Sequence, residues 1–236
     1  MHSIAHLFEK DWRNLTLSLW AVWVGKSFMY WGTVSMTTLV FTKDSTNQTS
    51  TSYNFDYAAI FFSSTAELVG VVATILLIDR TGRMATQSVL YVIGGIMVFG
   101  MCWLANEQQD NNNDDKHRNA MIGFAFLARM CVMGGAQLTW IITAELIPTQ
   151  LRTSGHSMAS AIARLGGATV PWLASPENSF QTMAIAMACI GLYTGTMVCT
   201  LPETAGRSLG TARKLASGSY DTKGNPIDSS TRTDLV

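Results

Sequence analysis

The sequence has little charge. Asp, Glu, Lys and Arg make up 14% of its 236 residues, against roughly a quarter in ordinary soluble domains. This deficit indicates that much of the chain faces lipid instead of water. The formal net charge is zero. A nucleic acid partner is therefore not expected, because there is no cationic surplus to neutralise phosphates.

Residues that bind metals or form disulfides are also few. The four cysteines fall inside apolar segments without paired spacing, and the four histidines are scattered. This pattern excludes a disulfide framework and a zinc site, and we expect no cofactor and no metal. No segment combines a nucleophile with a base, so we do not expect an enzyme. The cysteines are Cys102, Cys131, Cys189 and Cys199.

Long apolar segments, in contrast, fill most of the chain. Each of six is long enough to cross a hydrocarbon core of about 30 Å as a helix that rises about 1.5 Å per residue. We predict an all-α membrane protein in which residues 14–201 form a six-span domain. Residues 1–13 form a cytosolic flank, and the polar segment 202–236 is a disordered cytosolic tail. The predicted spans are 15–41, 55–78, 86–105, 120–144, 153–174 and 180–201.

A short charged segment, Asp79-Arg80-Thr81-Gly82-Arg83, stands between the second and third spans. Spanning backbone must be helical, so we predict a turn outside the bilayer, and Gly82 permits that turn to be tight. Cationic residues beside span ends mark the cytosolic side. We therefore expect both termini in the cytosol. As the location we expect the plasma membrane. The only Lys or Arg residues in the predicted outer loops are Lys43, Lys116 and Arg118.

An ordered series of motifs gives the chain a family resemblance. They are Y-W-G at 30–32, D-R-x-G-R at 79–83, E-L-x-P-T-x-x-R at 145–152, R-L-G-G at 164–167 and P-E-T-x-G-R at 202–207. With these motifs the chain resembles the C-terminal six-helix half of a major facilitator superfamily transporter. The branch is that of organic cation and anion carriers and synaptic-vesicle-protein-like proteins. Related sugar carriers usually have a Gln-Gln pair in the first span of this half, which is absent here.

The resemblance implies transport by two six-helix halves that act together. Such carriers have twelve spans, bind substrate between two six-helix halves and rock these halves alternately. We therefore expect a half of a secondary transporter for small organic ions, with three partners: the lipid bilayer, the ion and a missing N-terminal six-helix half. The chain is either a fragment or a half that pairs with another. Half of a sugar/proton carrier and a non-transporting scaffold or inactive fragment are the alternatives.

Charged residues inside spans are costly and suggest function. Lys26 and Glu67 lie at matching depths, about 16 Å from the inner surface, so they could pair as a relay or as a neutralising structural pair. The structural pair is favoured, because each residue would otherwise be buried unpaired. Arg164 lies near mid-span, where anion-carrying relatives tend to have a basic residue, and a guanidinium can bind a carboxylate bidentately. The alternative is an Arg164 that pairs with Glu67 or caps backbone carbonyls.

Two sets of residues follow as candidates. Aromatic faces with a few polar groups suit organic ligands, and the predicted cavity set is Lys26, Tyr30, Trp31, Glu67, Gln137, Trp140 and Arg164. The second set lies at the cytosolic span ends, where opposite charges can meet or separate as an inner gate closes or opens. This predicted gating set is Asp79, Arg80, Gly82, Arg83, Glu145, Arg152, Glu203 and Arg207.

Overall fold

A computed structural model describes residues 13–44, 53–55, 57–111, 118–147, 151–175 and 179–201. Within these residues the chain forms six long helices, and each contains most of one predicted span. The predicted flank 1–13, except Arg13, and the predicted tail from 202 lie outside the described residues. The helices are α1 Arg13–Val40, α2 Tyr57–Thr81, α3 Arg83–Asn111, α4 Arg118–Leu146, α5 Arg152–Leu173 and α6 Phe180–Cys199.

The turn predicted at 79–83 is shorter than expected. Helix α2 continues through Asp79 and Arg80 to Thr81, and α3 begins at Arg83, so Gly82 alone separates them. Gly82 has a φ of 82°, a left-handed conformation that side chains other than glycine rarely tolerate. The side chain of Thr81 lies 2.5 Å from that of Thr86 across the break. A single glycine therefore reverses the chain.

Two segments predicted as loop have regular structure. Thr42–Asp44 (β1) and Tyr53–Phe55 (β2) pair as an antiparallel hairpin, with Lys43 opposite Asn54. Helix α3 runs to Asn111, beyond its predicted end at residue 105. The polar residues that follow residue 105 are unfavourable in the hydrocarbon core. Glu and Gln are nevertheless good helix formers, so the helix continues. The predicted end of this span thus marked a change in side-chain polarity and not the end of the helical backbone.

The helices pack in a pattern that repeats within the chain. The most extensive contacts join α3 with α6, α3 with α4, α2 with α4, and α1 with α5. Helices α1, α2 and α3 correspond in this pattern to α4, α5 and α6. The contact of α1 with α5 then corresponds to that of α4 with α2, and the contact of α3 with α6 corresponds to itself. The bundle is thus two three-helix units with related packing, the arrangement typical of transporter repeats.

Glycines bring the second helix of each unit against the first helix of the other. A methyl group at Gly70 in α2 would overlap the backbone carbonyl of Met130 in α4. A methyl group at Gly166 in α5 would likewise overlap the carbonyl of Val24 in α1. Small residues at helix interfaces let backbones approach closely, so the same contact occurs twice in the fold.

Four of these helices are long and apolar enough to cross a membrane by length and composition. They contain the segments Tyr57–Ile78, Arg83–Glu107, Arg118–Leu146 and Phe180–Cys199. Six such spans were predicted, and α1 and α5 do not meet this criterion. The reason is their polarity: α1 is rich in Ser and Thr and contains Lys26, whereas α5 contains His156, Arg164 and several serines.

Candidate functional site

A cavity of about 520 Å³ lies between α1 and α5, the two helices that do not meet the criterion of length and composition for crossing a membrane. Every lining residue except Trp140 of α4 comes from one of them. Five of the seven predicted cavity residues line it: Lys26, Tyr30, Trp31, Trp140 and Arg164. The prediction missed the remaining lining residues, which are Trp23, Ser27, Ser160, Ala163, Gly167 and Ala168.

Helix α5 supplies small residues where the cavity opens. Ala163, Gly167 and Ala168 follow one another at helical spacing on the cavity side. A methyl group at Gly167 would lie 3.1 Å from a ring carbon of Trp31. The small side chains of α5 therefore leave space against α1, next to the close contact of Gly166 with Val24.

The cavity wall carries positive charge. Lys26 and Arg164 both line it, and none of the described lining residues is an Asp or Glu. The Lys26 Nζ atom lies 4.2 Å from the ring centroid of Trp23 and 4.7 Å from that of Trp140. The predicted pairing of Lys26 with Glu67 is wrong, because the ammonium group faces aromatic rings instead of a carboxylate.

Three aromatic side chains from three helices meet at one end of the cavity. The ring centroids of Trp23 and Trp140 are 4.9 Å apart. The His156 ring of α5 lies 5.0 Å from that of Trp23 and 4.3 Å from that of Trp140. Trp23 is buried, and its Nε1 donates a hydrogen bond of 2.9 Å to Thr143 Oγ1. We call Trp23, Trp140 and His156 the aromatic triad.

Sequence reasoning had no way to assemble this triad. Trp23 precedes Lys26 by three residues, so their common helix face could have been read from the spacing. His156 carries no such signal, because it comes from a different helix and its sequence neighbours do not point to an aromatic contact.

Glu67 lies outside the cavity lining, in a buried ion pair. Its Oε1 is 3.6 Å from Arg129 Nη2, and Arg129 is only 7% exposed. Ser64 accepts a hydrogen bond from Arg129 Nη1, and Tyr30 donates one of 3.5 Å to Glu67 Oε2. Tyr30 therefore connects the cavity wall to this pair. Gln137 is half-buried on α4 and is likewise not a lining residue.

The structure places part of the predicted gating set. Arg83, at the start of α3, forms an ion pair with Glu145, near the end of α4. Arg152 begins α5 and has a buried Nε atom without a hydrogen-bond partner. Arg80 is exposed on α2. Asp79 belongs to the same helix, whereas Glu203 and Arg207 lie outside the described residues.

Comparison with known sequences gives a consistent family. Residues 2–215 match the family described as "Sugar (and other) transporter". The chain is 28% identical over 227 residues to the synaptic vesicle 2-related protein of Xenopus laevis. That match covers 87% of this chain and 39% of the relative.

Other similar proteins are transporters by name. The chain is 28% identical over 220 residues to organic cation/carnitine transporter 7 of Arabidopsis thaliana, covering 88% of this chain and 41% of the relative. It is 28% identical over 155 residues to solute carrier family 22 member 2 of Oryctolagus cuniculus, covering 65% and 26% respectively. The chain thus spans about two-fifths of the length of the first two relatives.

Proposed function

This chain belongs to the sugar (and other) transporter family of the major facilitator superfamily, and from that premise we propose that it forms one half of a secondary carrier for small organic ions. Its apolar helices and family make it an integral membrane protein. The name of the Arabidopsis relative, an organic cation/carnitine transporter, supports small organic ions as the substrate class.

We propose that all six helices cross the membrane, with both ends in the cytosol of a plasma-membrane protein. The polar composition of α1 and α5 is compatible with spanning. Thr33 and Thr37 donate hydrogen bonds of 2.7 Å to carbonyls of their own helix, which satisfies their hydroxyls without water. Lys26 and Arg164 face the cavity, where intramembrane charges are tolerated.

The observation that carries the substrate proposal is the charge of the cavity wall. Two cationic side chains line about 520 Å³, and no lining residue is acidic. A guanidinium presents a planar fork of donors that fits a carboxylate. The cavity therefore favours an organic anion, or a zwitterion whose anionic group binds Arg164.

The exposure of the cavity supports a second half as partner. Arg164 is exposed on α5, and Trp31 is 54% exposed on α1. An exposed guanidinium at this depth is costly against lipid. Burial against a matching six-helix half removes that cost and encloses the substrate for alternating access. The Arg83–Glu145 pair at the helix ends then contributes to the inner gate by forming in one state and separating in the other.

Uptake into vesicles tests this function. Labelled organic anions, organic cations and a hexose are offered to vesicles that contain the chain alone or co-expressed with a matching N-terminal half. We expect anion uptake only with both halves. Arg164→Ala abolishes that uptake, whereas Leu165→Ala, at the adjacent exposed position, retains it.

Each other result favours an alternative. Uptake of the hexose that survives Arg164→Ala supports a sugar carrier. No uptake of any substrate by correctly inserted protein supports a non-transporting scaffold.

A further inference from the structure

We propose that the aromatic triad is a cation-binding site that Lys26 occupies from within, and that this occupancy excludes organic cations from the cavity. The inference rests on the proposed function, since it names the residue that sets the charge preference of the same cavity. It assigns Lys26 a role in selectivity instead of substrate binding.

The triad has the geometry of a cation site. Cations bind over the faces of aromatic rings within about 6 Å of the centroid. The Lys26 Nζ atom meets that condition for two rings at once, at 4.2 and 4.7 Å. His156 of α5 contacts both tryptophans edge-on or tilted. Rings from α1 and α4 thus face one ammonium group, and a ring from α5 packs against both of them.

The Trp23 wall of the triad is fixed in place. Trp23 is 1% exposed, and its indole donates a hydrogen bond to Thr143 in α4. Trp140 and His156 pack against this ring. A site whose walls are positioned before a ligand arrives loses little ordering entropy on binding. A free cation of similar size would therefore fit the same position if Lys26 did not fill it.

Among the described residues, Lys26 has no carboxylate partner that explains its position. The ion pairs of the described helices join Glu67 to Arg129 and Glu145 to Arg83, and the cavity lining contains no acid. The aromatic faces are thus what holds the ammonium group. Because Lys26 is tethered to α1, its effective concentration at the site is far higher than that of a dissolved cation.

Removal of the tethered charge should open the site. Lys26→Ala removes both the charge and the side chain that fills the position. We expect this variant to bind tetramethylammonium about 10-fold more tightly than the unsubstituted chain does. Arg164→Ala is the matched control, because it removes one positive charge and a long side chain from the same cavity and leaves Lys26 in the triad.

The experiment is an equilibrium binding assay with radiolabelled tetramethylammonium on the purified full chain in lipid nanodiscs. Tight binding by Lys26→Ala that is lost in Lys26→Ala/Trp140→Leu supports the inference. Equal binding by the unsubstituted chain and Lys26→Ala overturns it. An equal gain in Arg164→Ala also overturns it, because the effect would then be general electrostatics.

A second measurement needs no substitution at Lys26. Lysines of the purified chain are dimethylated with ¹³C-formaldehyde, and the methyl resonances are recorded. Ring currents should move the Lys26 resonance upfield, and Trp140→Leu should return it toward the position of the other lysines. A Lys26 resonance at the ordinary position overturns the inference. Neither assay requires uptake, so a failure of transport and a failure of this inference give separate results.

Discussion

The buried pair of Glu67 and Arg129 gives the sharpest prediction of stability. Arg129 is 7% exposed and is held by Glu67 and Ser64. Glu67→Gln leaves the guanidinium buried without its counter-charge. Breaking a buried pair from one side costs about 3 to 5 kcal/mol. Since the Glu67 side chain is 23% exposed, we take the lower end of that range.

A loss of about 3 kcal/mol corresponds to a decrease in Tm of roughly 6 to 12 °C for a chain of this size. Removing both charges avoids the unpaired ion, so Glu67→Gln/Arg129→Gln should recover at least half of the loss. Arg80→Gln, at an exposed position of α2, is the control for a change in net charge and should shift Tm by less than about 2 °C.

Thermal unfolding of the purified variants in detergent measures these differences. The reasoning is refuted if Glu67→Gln melts within about 2 °C of the unsubstituted chain. It is also refuted if the double variant loses the sum of the two single losses, because the side chains would then contribute independently.

Two further predictions concern helix contacts and the inner face. Gly166→Ala should lower Tm, because the added methyl group overlaps the Val24 carbonyl. The control Gly123→Ala has no atom within 4 Å of the added carbon and should raise Tm slightly, because Ala has a higher helix propensity than Gly. Thermal unfolding compares the two variants, and equal shifts in Tm contradict the contact. Arg83→Gln should leave Tm nearly unchanged, because partly exposed ion pairs contribute about 0 to 1 kcal/mol, but it should reduce uptake by the paired halves. The charge swap Arg83→Glu/Glu145→Arg should restore part of that uptake. Unchanged uptake in Arg83→Gln excludes a role of this pair in the gate.

The sequence predicted the positions of the helices because lipid imposes one secondary structure on long apolar segments. The tight turn at Gly82 was predicted for a related reason, since polar residues between two such segments must reverse the chain. The hairpin of β1 and β2 was missed, because residues 45–52 between its strands are rich in Ser and Thr and carry no strand pattern.

Side-chain pairing was harder to predict, because depth along a helix does not determine the direction in which a side chain points. The sequence predicts similar depths for Lys26 and Glu67, yet Lys26 faces Trp140 and Glu67 faces Arg129. Those directions depend on how each helix is rotated in the bundle. The rotation follows from tertiary contacts such as that of Gly166 with Val24, which a single sequence does not reveal.

The repeated glycine contact aligns two helix junctions residue by residue. Gly70 in α2 and Gly166 in α5 each meet a backbone carbonyl of the opposite unit. Three residues before these glycines stand Glu67 and Ala163 respectively. Matching positions of the two junctions thus hold a carboxylate in one case and a methyl group in the other.

The facing helices differ in the same way. One residue before the contacted carbonyls stand Arg129 in α4 and Trp23 in α1. The ion pair of Arg129 with Glu67 therefore lies at the α2–α4 junction, whereas Trp23 and Ala163 line the cavity at the α1–α5 junction. The glycine contact repeats, but the side chains beside it differ, so the α1–α5 junction borders a cavity where the α2–α4 junction has an ion pair.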